Sequence, residues 1–220
     1  MAQIFTPAAD TWARLALATA ALVPLALLLL GPVSARSSYQ SAVGWTVDQP
    51  VPFSHEHHVD GLGIDCRFCH VGVETSAHAG LPATKVCMTC HSQIWAQAPM
   101  LAPVRESWRS DRPLAWNRVN AVPDYVYFNH AIHIDRGVAC VTCHGRVDRM
   151  PLIARARPFE MRFCIECHRD PAPRLGRRED VTRMDSPTWS DAEHRAFADA
   201  AAKRFKLDPW RLTQCDICHR

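Results

Sequence analysis

Apolar residues are spread very unevenly along the 220-residue chain. From Leu15 to Val33 the sequence reads LALATAALVPLALLLLGPV, nineteen residues without a charge. Such a run is long enough to cross a bilayer core, and Pro24 inside it is a tolerable kink. It predicts an N-terminal transmembrane anchor over residues 1–35. A cleaved signal peptide is the rival reading, since Val33-Ser34-Ala35 resembles a small-x-small cleavage site. The apolar run exceeds a usual signal core, which favours a retained helix. After residue 40 the pattern changes. Between 40 and 185 no long stretch repeats apolar residues at helical spacing, and none alternates as a strand would. Sixteen Pro and nine Gly punctuate the chain. The fold class expected is mostly irregular with short α-helices, plus the one N-terminal transmembrane helix. AEHRAFADAAAKRF, residues 192–205, reads as an ordinary exposed helix. A chain of this length normally buries one sizeable core. This one has too few apolar positions after residue 40 to do so by side chains alone.

The cysteines suggest what else fills the interior. All ten fall in C-x-x-C pairs: Cys66/Cys69, Cys87/Cys90, Cys140/Cys143, Cys164/Cys167 and Cys215/Cys218. Each pair is followed at once by a histidine: His70, His91, His144, His168 and His219. With 12 His in the chain, a given position is His about one time in eighteen, so five coincidences fall under one in a million. Zinc knuckles and redox dithiols use C-x-x-C without needing that histidine, whereas C-x-x-C-H attaches haem c. Two thiols add across the two vinyl groups of one haem, and the adjacent histidine lies under the iron. Five covalently attached haems c are expected. No cysteine is left for a disulfide, a lipid anchor or a zinc cluster.

Charge modifies this picture only slightly. The formal charge is +3. A ferric haem with neutral axial ligands and two propionates brings about −1, so five bring the chain to roughly −2. Arg exceeds Lys by 22 to 3, and guanidinium forks suit propionate carboxylates. An Arg-rich background composition explains the excess equally well. The Arg are scattered among Asp and Glu, so no nucleic-acid footprint is visible. Haem c is attached outside the cytoplasmic membrane, which places residues 36–220 on the periplasmic side of a single-pass inner-membrane anchor.

Seven histidines are not next to a C-x-x-C: His55, His57, His58, His78, His130, His133 and His194. Four of them repeat in one frame. Phe53-x-His55-x-x-His58 matches Phe128-x-His130-x-x-His133. In both, an aliphatic-Asp step follows (Val59-Asp60, Ile134-Asp135), then a glycine, then C-x-x-C-H. A second C-x-x-C-H comes about twenty residues later. The organisation expected is an anchor (1–35), a first dihaem module (36–100), a haem-free connector (101–124), a second dihaem module (125–171) and a C-terminal monohaem segment (172–220). Residues i and i+3 of a short helix share a face. His55, His58, His130 and His133 are therefore expected as the second axial ligands of four irons, two per helix. His57 and His78 are expected as spectators.

F-x-H-x-x-H ahead of C-x-x-C-H resembles the class III multihaem cytochromes, the cytochrome c3 and c7 group. More specifically, the chain resembles the pentahaem membrane-anchored subunit of bacterial alternative complex III. The stretches that carry this are DQPVPFSHEHHVDGLGIDCRFCH, AGLPATKVCMTCHSQIW, PVRESWRSDRPLAWNRVNAVPDYVYFNHAIH, GVACVTCHGRVDRMPL, CIECHRDP and CDICHR. They cover residues 48–171 and the C-terminus, and Pro103–His133 is the most specific. The resemblance implies a periplasmic haem wire held by one helix. It implies three partners: an iron–sulfur/molybdopterin-like subunit, a quinol-binding integral membrane subunit, and a monohaem cytochrome c or terminal oxidase as acceptor. It also implies that His55 serves the haem on Cys66/Cys69 and His130 the haem on Cys140/Cys143, while His58 and His133 reach other haems.

Bis-histidine iron has no open position, so it changes charge without binding substrate. Four distal histidines leave one of five irons short. Met184 aligns with a methionine of the family pattern and is the first candidate for that position. His194 is the second. Met161, just before Cys164, is expected to pack on a haem face. The function expected is an electron-transfer subunit of a quinol-oxidising complex, with no catalytic site of its own. A catalytic multihaem reductase or a free-standing membrane electron carrier are the alternatives. A reductase would need an open iron beside a basic cluster, and the lysines are only Lys85, Lys203 and Lys206. The connector holds Arg105, Trp108, Arg109, Arg112, Trp116 and Arg118, suited to a lid over haem edges or to a docking face.

Overall fold

The computed structural model describes residues 6–185 and 189–219. Residues 1–5 of the expected anchor, and 186–188 and 220 of the expected C-terminal segment, lie outside these. The chain divides into two compact units, residues 1–42 and 43–220.

The first unit is a 29-residue helix, Pro7–Ala35, followed by a short turn of helix over Ser38–Ser41. Within the long helix, Ala8–Ala35 is apolar and long enough to cross a membrane. Pro24 and Pro32 both lie inside it. An ion pair from Arg14 to Asp10, four residues earlier, sits ahead of the apolar run.

The second unit is helical and irregular, as the broken periodicity demands. Among the described residues there are no strands, only isolated bridges: Val43 with Arg155, Thr46 with Ala154, and Val138 with Leu175. Among the described residues up to 185, its longest helices have nine residues, Ala102–Ser110 and Met161–Arg169. The expected surface helix spans Asp191–Arg204, opened by a reciprocal capping box between Ser190 and Glu193. It is not wholly exposed: Ala198 and Ala201 are buried.

Side-chain cores are small. One cluster joins Val51, Leu101 and Val104, with Cys87, Met88, Leu114 and Trp116 against it. The connector thus packs onto the second attachment helix, Thr84–His91. The other cluster joins Val73, Ile134 and Val181 beside Cys140. Among the described residues only Leu175 and Val181 are large and fully buried. At Gly137 (φ +78°) a Cβ would overlap the Gly176 carbonyl oxygen. The glycine pair lets Gly176 N–H reach the Gly137 carbonyl at 2.9 Å, tying the tail to the second module.

Candidate haem-binding site

Every C-x-x-C lies on a turn of helix: Cys66–Cys69, Thr84–His91, Cys140–His144, Met161–Arg169 and Cys215–Cys218. Cysteines three apart on such a turn point the same way. The first turn is capped by Asp65, whose carboxylate accepts from the Arg67 backbone N–H and pairs with its guanidinium at 2.8 Å. None of the ten cysteines forms a disulfide.

The ten thiols are not equally enclosed. Eight are partly buried, whereas Cys90 and Cys215 are exposed. These two stand outside the enclosure that the protein gives the other eight. For Cys90 the reason is the seating of its helix. Cys87 packs against the cluster of Val51, Leu101 and Val104, and Cys90, one turn further on, lies beyond that cover. Thr89 Oγ1 reaches the Cys90 sulfur at 3.9 Å while donating to the Val86 carbonyl at 2.7 Å. Cys215 opens a short turn at the very end of the chain, after the Asp191–Arg204 helix. Protein burial therefore does not mark Cys90 or Cys215 as part of a site. Their assignment rests on the C-x-x-C-H spacing.

Neighbouring thiols connect the motifs into a series. Cys66 and Cys140 lie side by side, and this contact lowers the pKa of the first and raises that of the second. Cys69 is raised by burial and then by the nearby Cys87. Cys143 is raised to about 11 by burial, with Cys167 and Cys164 next to it. Cys164 is raised by burial and then by Cys218. The spatial order of motifs is therefore Cys87/Cys90, Cys66/Cys69, Cys140/Cys143, Cys164/Cys167, Cys215/Cys218, which is not their order in the chain.

The histidines are brought together in pairs. His58 meets His91 with ring centroids 6.2 Å apart, His130 meets His144 at 6.4 Å, and His133 meets His168 at 6.1 Å. A metal–imidazole bond of about 2.0 Å, plus the half-width of a ring on each side, separates two trans imidazole centroids by roughly 6 Å. The three pairs fit one metal atom between each two rings. His55 is not stacked on a partner in this way. Burial holds its pKa down to about 4, and His70 is the strongest of the histidines adding to that effect.

Hydrogen bonding selects the nitrogen that faces the gap. A carbonyl oxygen only accepts, so a ring nitrogen bonded to one must carry the proton. Nδ1–H donates to a carbonyl in His58 (Ser54, 2.8 Å), His70 (Gly80, 2.7 Å), His91 (Ile94, 3.0 Å), His130 (Ala77, 2.8 Å), His133 (Asn129, 2.7 Å), His168 (Leu212, 2.9 Å) and His219 (Tyr125, 3.1 Å). In all seven the lone pair is left on Nε2, the arrangement of a metal-ligating histidine with its outer partner in place. Burial lowers the pKa of His58, His130 and His133, and lowers that of His144 to about 4. Each thereby stays neutral, as a ligand must.

The remaining histidines behave differently. His194 donates from Nε2 to the Leu175 carbonyl at 2.9 Å, the opposite tautomer from the seven rings above. His57 and His78 are both exposed, and His57 stacks on Trp95 at 5.9 Å. Met184 is buried, on the stretch of chain that also offers the Thr182 carbonyl to Cys66. Met161 is 70% exposed, and Phe68, Ile94 and Trp95 also stand out beside attachment motifs. Apolar side chains next to C-x-x-C-H turns suit the face of a large apolar ring better than a zinc knuckle. Among the described residues no three His, Cys, Asp or Glu converge as the tetrahedral zinc set would.

No family model matches the chain. A search of characterised proteins finds the multihaem cytochrome c subunit of the menaquinone reductase of Nitratidesulfovibrio vulgaris, 35% identical over 173 residues, covering 78% of this chain and 68% of that protein. The chain belongs to the multihaem cytochrome c family. This multihaem cytochrome carries covalently bound haem. The resemblance to alternative complex III read from the sequence narrows, at this level, to the broader multihaem family. Sequence reasoning passed over two participants in the cytochrome's site. One is Asn120, which faces His144. The other is the run of backbone carbonyls that orients the remaining rings, for which no residue type is a signal.

Proposed function

We propose that this cytochrome is a five-haem electron relay, the haem-bearing subunit of a quinone-linked membrane complex. The pairing of imidazoles at 6.1–6.4 Å, with Nε2 free in five of the six rings, carries the reading. Haem c, when bound, supplies one-electron ferric/ferrous chemistry. Cys66/Cys69, Cys87/Cys90, Cys140/Cys143, Cys164/Cys167 and Cys215/Cys218 hold the five groups. Exposure of Cys90 and Cys215 suits the two ends of such a series, where a haem edge meets a partner. His70, His91, His144, His168 and His219 bind from the proximal side. His55, His58, His130 and His133 would supply the second ligands, His55 with His70 and the others with the partners they meet. By elimination, Met184 is the ligand left for the iron of His219. Ring nitrogens on both sides of an iron leave no position for a substrate, which favours a relay over a reductase. The adjacency of thiols supports a wire running from Cys87/Cys90 through Cys66/Cys69, Cys140/Cys143 and Cys164/Cys167 to Cys215/Cys218.

The helix Pro7–Ala35 anchors the subunit, and residues 36–220 lie on the periplasmic side, where haem c is attached. The partners in this reading are an iron–sulfur/molybdopterin-like subunit, a quinol-binding integral membrane subunit, and a monohaem cytochrome c or terminal oxidase as acceptor. A second reading reverses the flow, from a soluble donor into the quinone pool. The name of the relative, a menaquinone reductase subunit, favours it. Purification of the tagged chain from native membranes tests both. An iron–sulfur subunit and an integral membrane subunit are expected to copurify. Reduction of the complex by a quinol analogue supports the first direction, and oxidation of the reduced complex by a quinone supports the second. A chain that purifies alone and exchanges electrons with neither overturns the relay reading.

A further inference from the structure

We infer that Asn120 is a positioning residue for His144: it fixes the ring plane and the Nδ1–H tautomer, and so sets the reduction potential of the haem held by Cys140/Cys143. The inference rests on the proposal that His144 Nε2 binds iron. Four of the five proximal histidines give their Nδ1–H to a main-chain carbonyl, at Gly80, Ile94, Leu212 and Tyr125. His144 alone faces a side chain, the carboxamide of Asn120, whose Nδ2 lies 3.3 Å from His144 Nδ1. Asn120 Oδ1 is buried and has no hydrogen-bond partner. With Nε2 reserved for iron, His144 Nδ1 carries the proton, and two donors cannot share a hydrogen bond. Turning the carboxamide over exchanges its two ends, which differ only by assignment. The orphaned oxygen then accepts from Nδ1–H at the same separation, and the amino group takes its former place.

Asn120 is held for this task. The Arg155 guanidinium donates to the carbonyl of Val119 from Nε at 3.1 Å and from Nη2 at 3.0 Å. Three residues earlier, Gln49 and Asn117 exchange two hydrogen bonds, Nε2 to the Asn117 carbonyl and Asn117 N–H to Oε1. The backbone on the N-terminal side of Asn120 is therefore clamped at two points. The consequence is visible in the rings. The planes of His144 and His130 are nearly parallel, 7° apart, whereas those of the pairs His133–His168 and His58–His91 are turned by 28° and 63°. His130 is held by the Ala77 carbonyl, and Asn120 is the matching hold on the other ring. A side chain in this role is one that substitution changes. A carbonyl partner adds electron density to the imidazole, a carboxylate adds more, and a hydrocarbon adds none.

The test uses the full chain purified from membranes, with Asn120→Leu and Asn120→Asp beside the natural protein. Haem content and attachment at Cys140/Cys143 are read first, by haemochromogen and peptide mass spectrometry. Redox titration then follows each reduction step, and electron paramagnetic resonance reads the relative orientation of the imidazole planes. One step is expected to rise in Asn120→Leu and the same step to fall in Asn120→Asp, with the others unmoved. The near-parallel signal is expected to broaden or vanish in Asn120→Leu and to survive in Asn120→Asp. Full loading with every step unmoved, or both variants shifting the step in one direction, overturns the role of Asn120. Should Asn120→Leu fail to load, Asn120→Asp decides alone: an unmoved or raised step overturns the inference. A natural protein without haem at Cys140/Cys143 instead overturns the reading on which the inference rests.

Discussion

The two F-x-H-x-x-H segments begin alike and end differently. In each the phenylalanine meets the first histidine edge-on and lies against the second: Phe53 is 4.9 Å from His55 and 4.4 Å from His58, and Phe128 is 4.7 Å from His130 and 4.6 Å from His133. In each the second histidine donates to the carbonyl four residues back, Ser54 or Asn129. The same two residues cap the turn, Ser54 Oγ for His57 N–H and Asn129 Oδ1 for Ile132 N–H. The backbone beyond then diverges. His130–Asp135 is an α-helix, whereas Glu56–Gly61 is a π-helix. The first segment has one residue more before its C-x-x-C-H, and the closing bond shows where it goes. Ile64 N–H reaches back to the His58 carbonyl, six residues, where Val138 N–H reaches the His133 carbonyl, five. A wider turn absorbs the extra residue and keeps both histidines on one face. The first histidines differ as well. His130 is held by the Ala77 carbonyl of the first module, while His55 Nδ1 is buried without a partner. A repeat can thus conserve the contacts that aim two rings while the chain around them changes.

The largest expected effect tests the second module against the first at its glycines. Both Gly63 and Gly137 have positive φ. Open space surrounds a Cβ at Gly63, so Gly63→Ala should cost only the left-handed strain of about 1–2 kcal/mol. Gly137→Ala should drive backbone into backbone at Gly176 and abolish accumulation of fully loaded protein. Thermal unfolding and haem yield read both, and equal effects would break the contrast.

Next come the distal ligands. His58→Ala and His133→Ala should each open one iron, giving one additional carbon monoxide bound per reduced chain. Loss of the Cys87/Cys90 attachment should remove the extra binding in His58→Ala but leave it in His133→Ala. Loss of Cys164/Cys167 should do the reverse. If one pair of cysteines governs both variants, the two segments do not serve separate partners.

A smaller effect concerns the tail, which neither segment serves. Thioether ligation raises a haem potential relative to imidazole. Met184→His should therefore remove a near-infrared iron–methionine band and lower one reduction step only. With no such band in the natural protein, Met184 is packing.

The smallest effect separates the two first attachment turns of the modules. Asp65 caps the turn of Cys66, and its side-chain hydrogen bonds from Arg67 hold its pKa at about 2, below the ordinary 3.8. Ala139 occupies the same place before Cys140. A depressed carboxyl binds fewer protons folded than unfolded, so its contribution is complete above about pH 4 and is lost as pH falls towards 2. Asp65→Asn should flatten the stability profile in that window, and Ala139→Ser should leave it unchanged.

The parts that follow from local covalent spacing are legible in the residues alone. C-x-x-C-H names its cofactor because two thiols and one imidazole must reach one ring and its iron. The apolar run in Pro7–Ala35 names its helix because no charge falls between Leu15 and Val33. The paired histidines, the broken periodicity after residue 40 and the helix at Asp191–Arg204 were legible for similar reasons. Only the tertiary structure decided which rings meet. Carbonyls of Gly80, Ala77, Leu212 and Tyr125 orient the histidines from 10 to 94 residues away, and a backbone carbonyl has no residue type to read. Enclosure was equally hidden. Cys87 and Cys90 share one motif, yet the connector covers the first and leaves the second exposed. The order of the motifs also came from folding, which sets Cys66 beside Cys140 while Cys69 of the same motif lies beside Cys87. So did the place of Asn120, an asparagine between two attachment motifs until the fold sets it against His144. Sequence spacing constrains groups joined by a few bonds. Beyond that reach, only folding places one group against another.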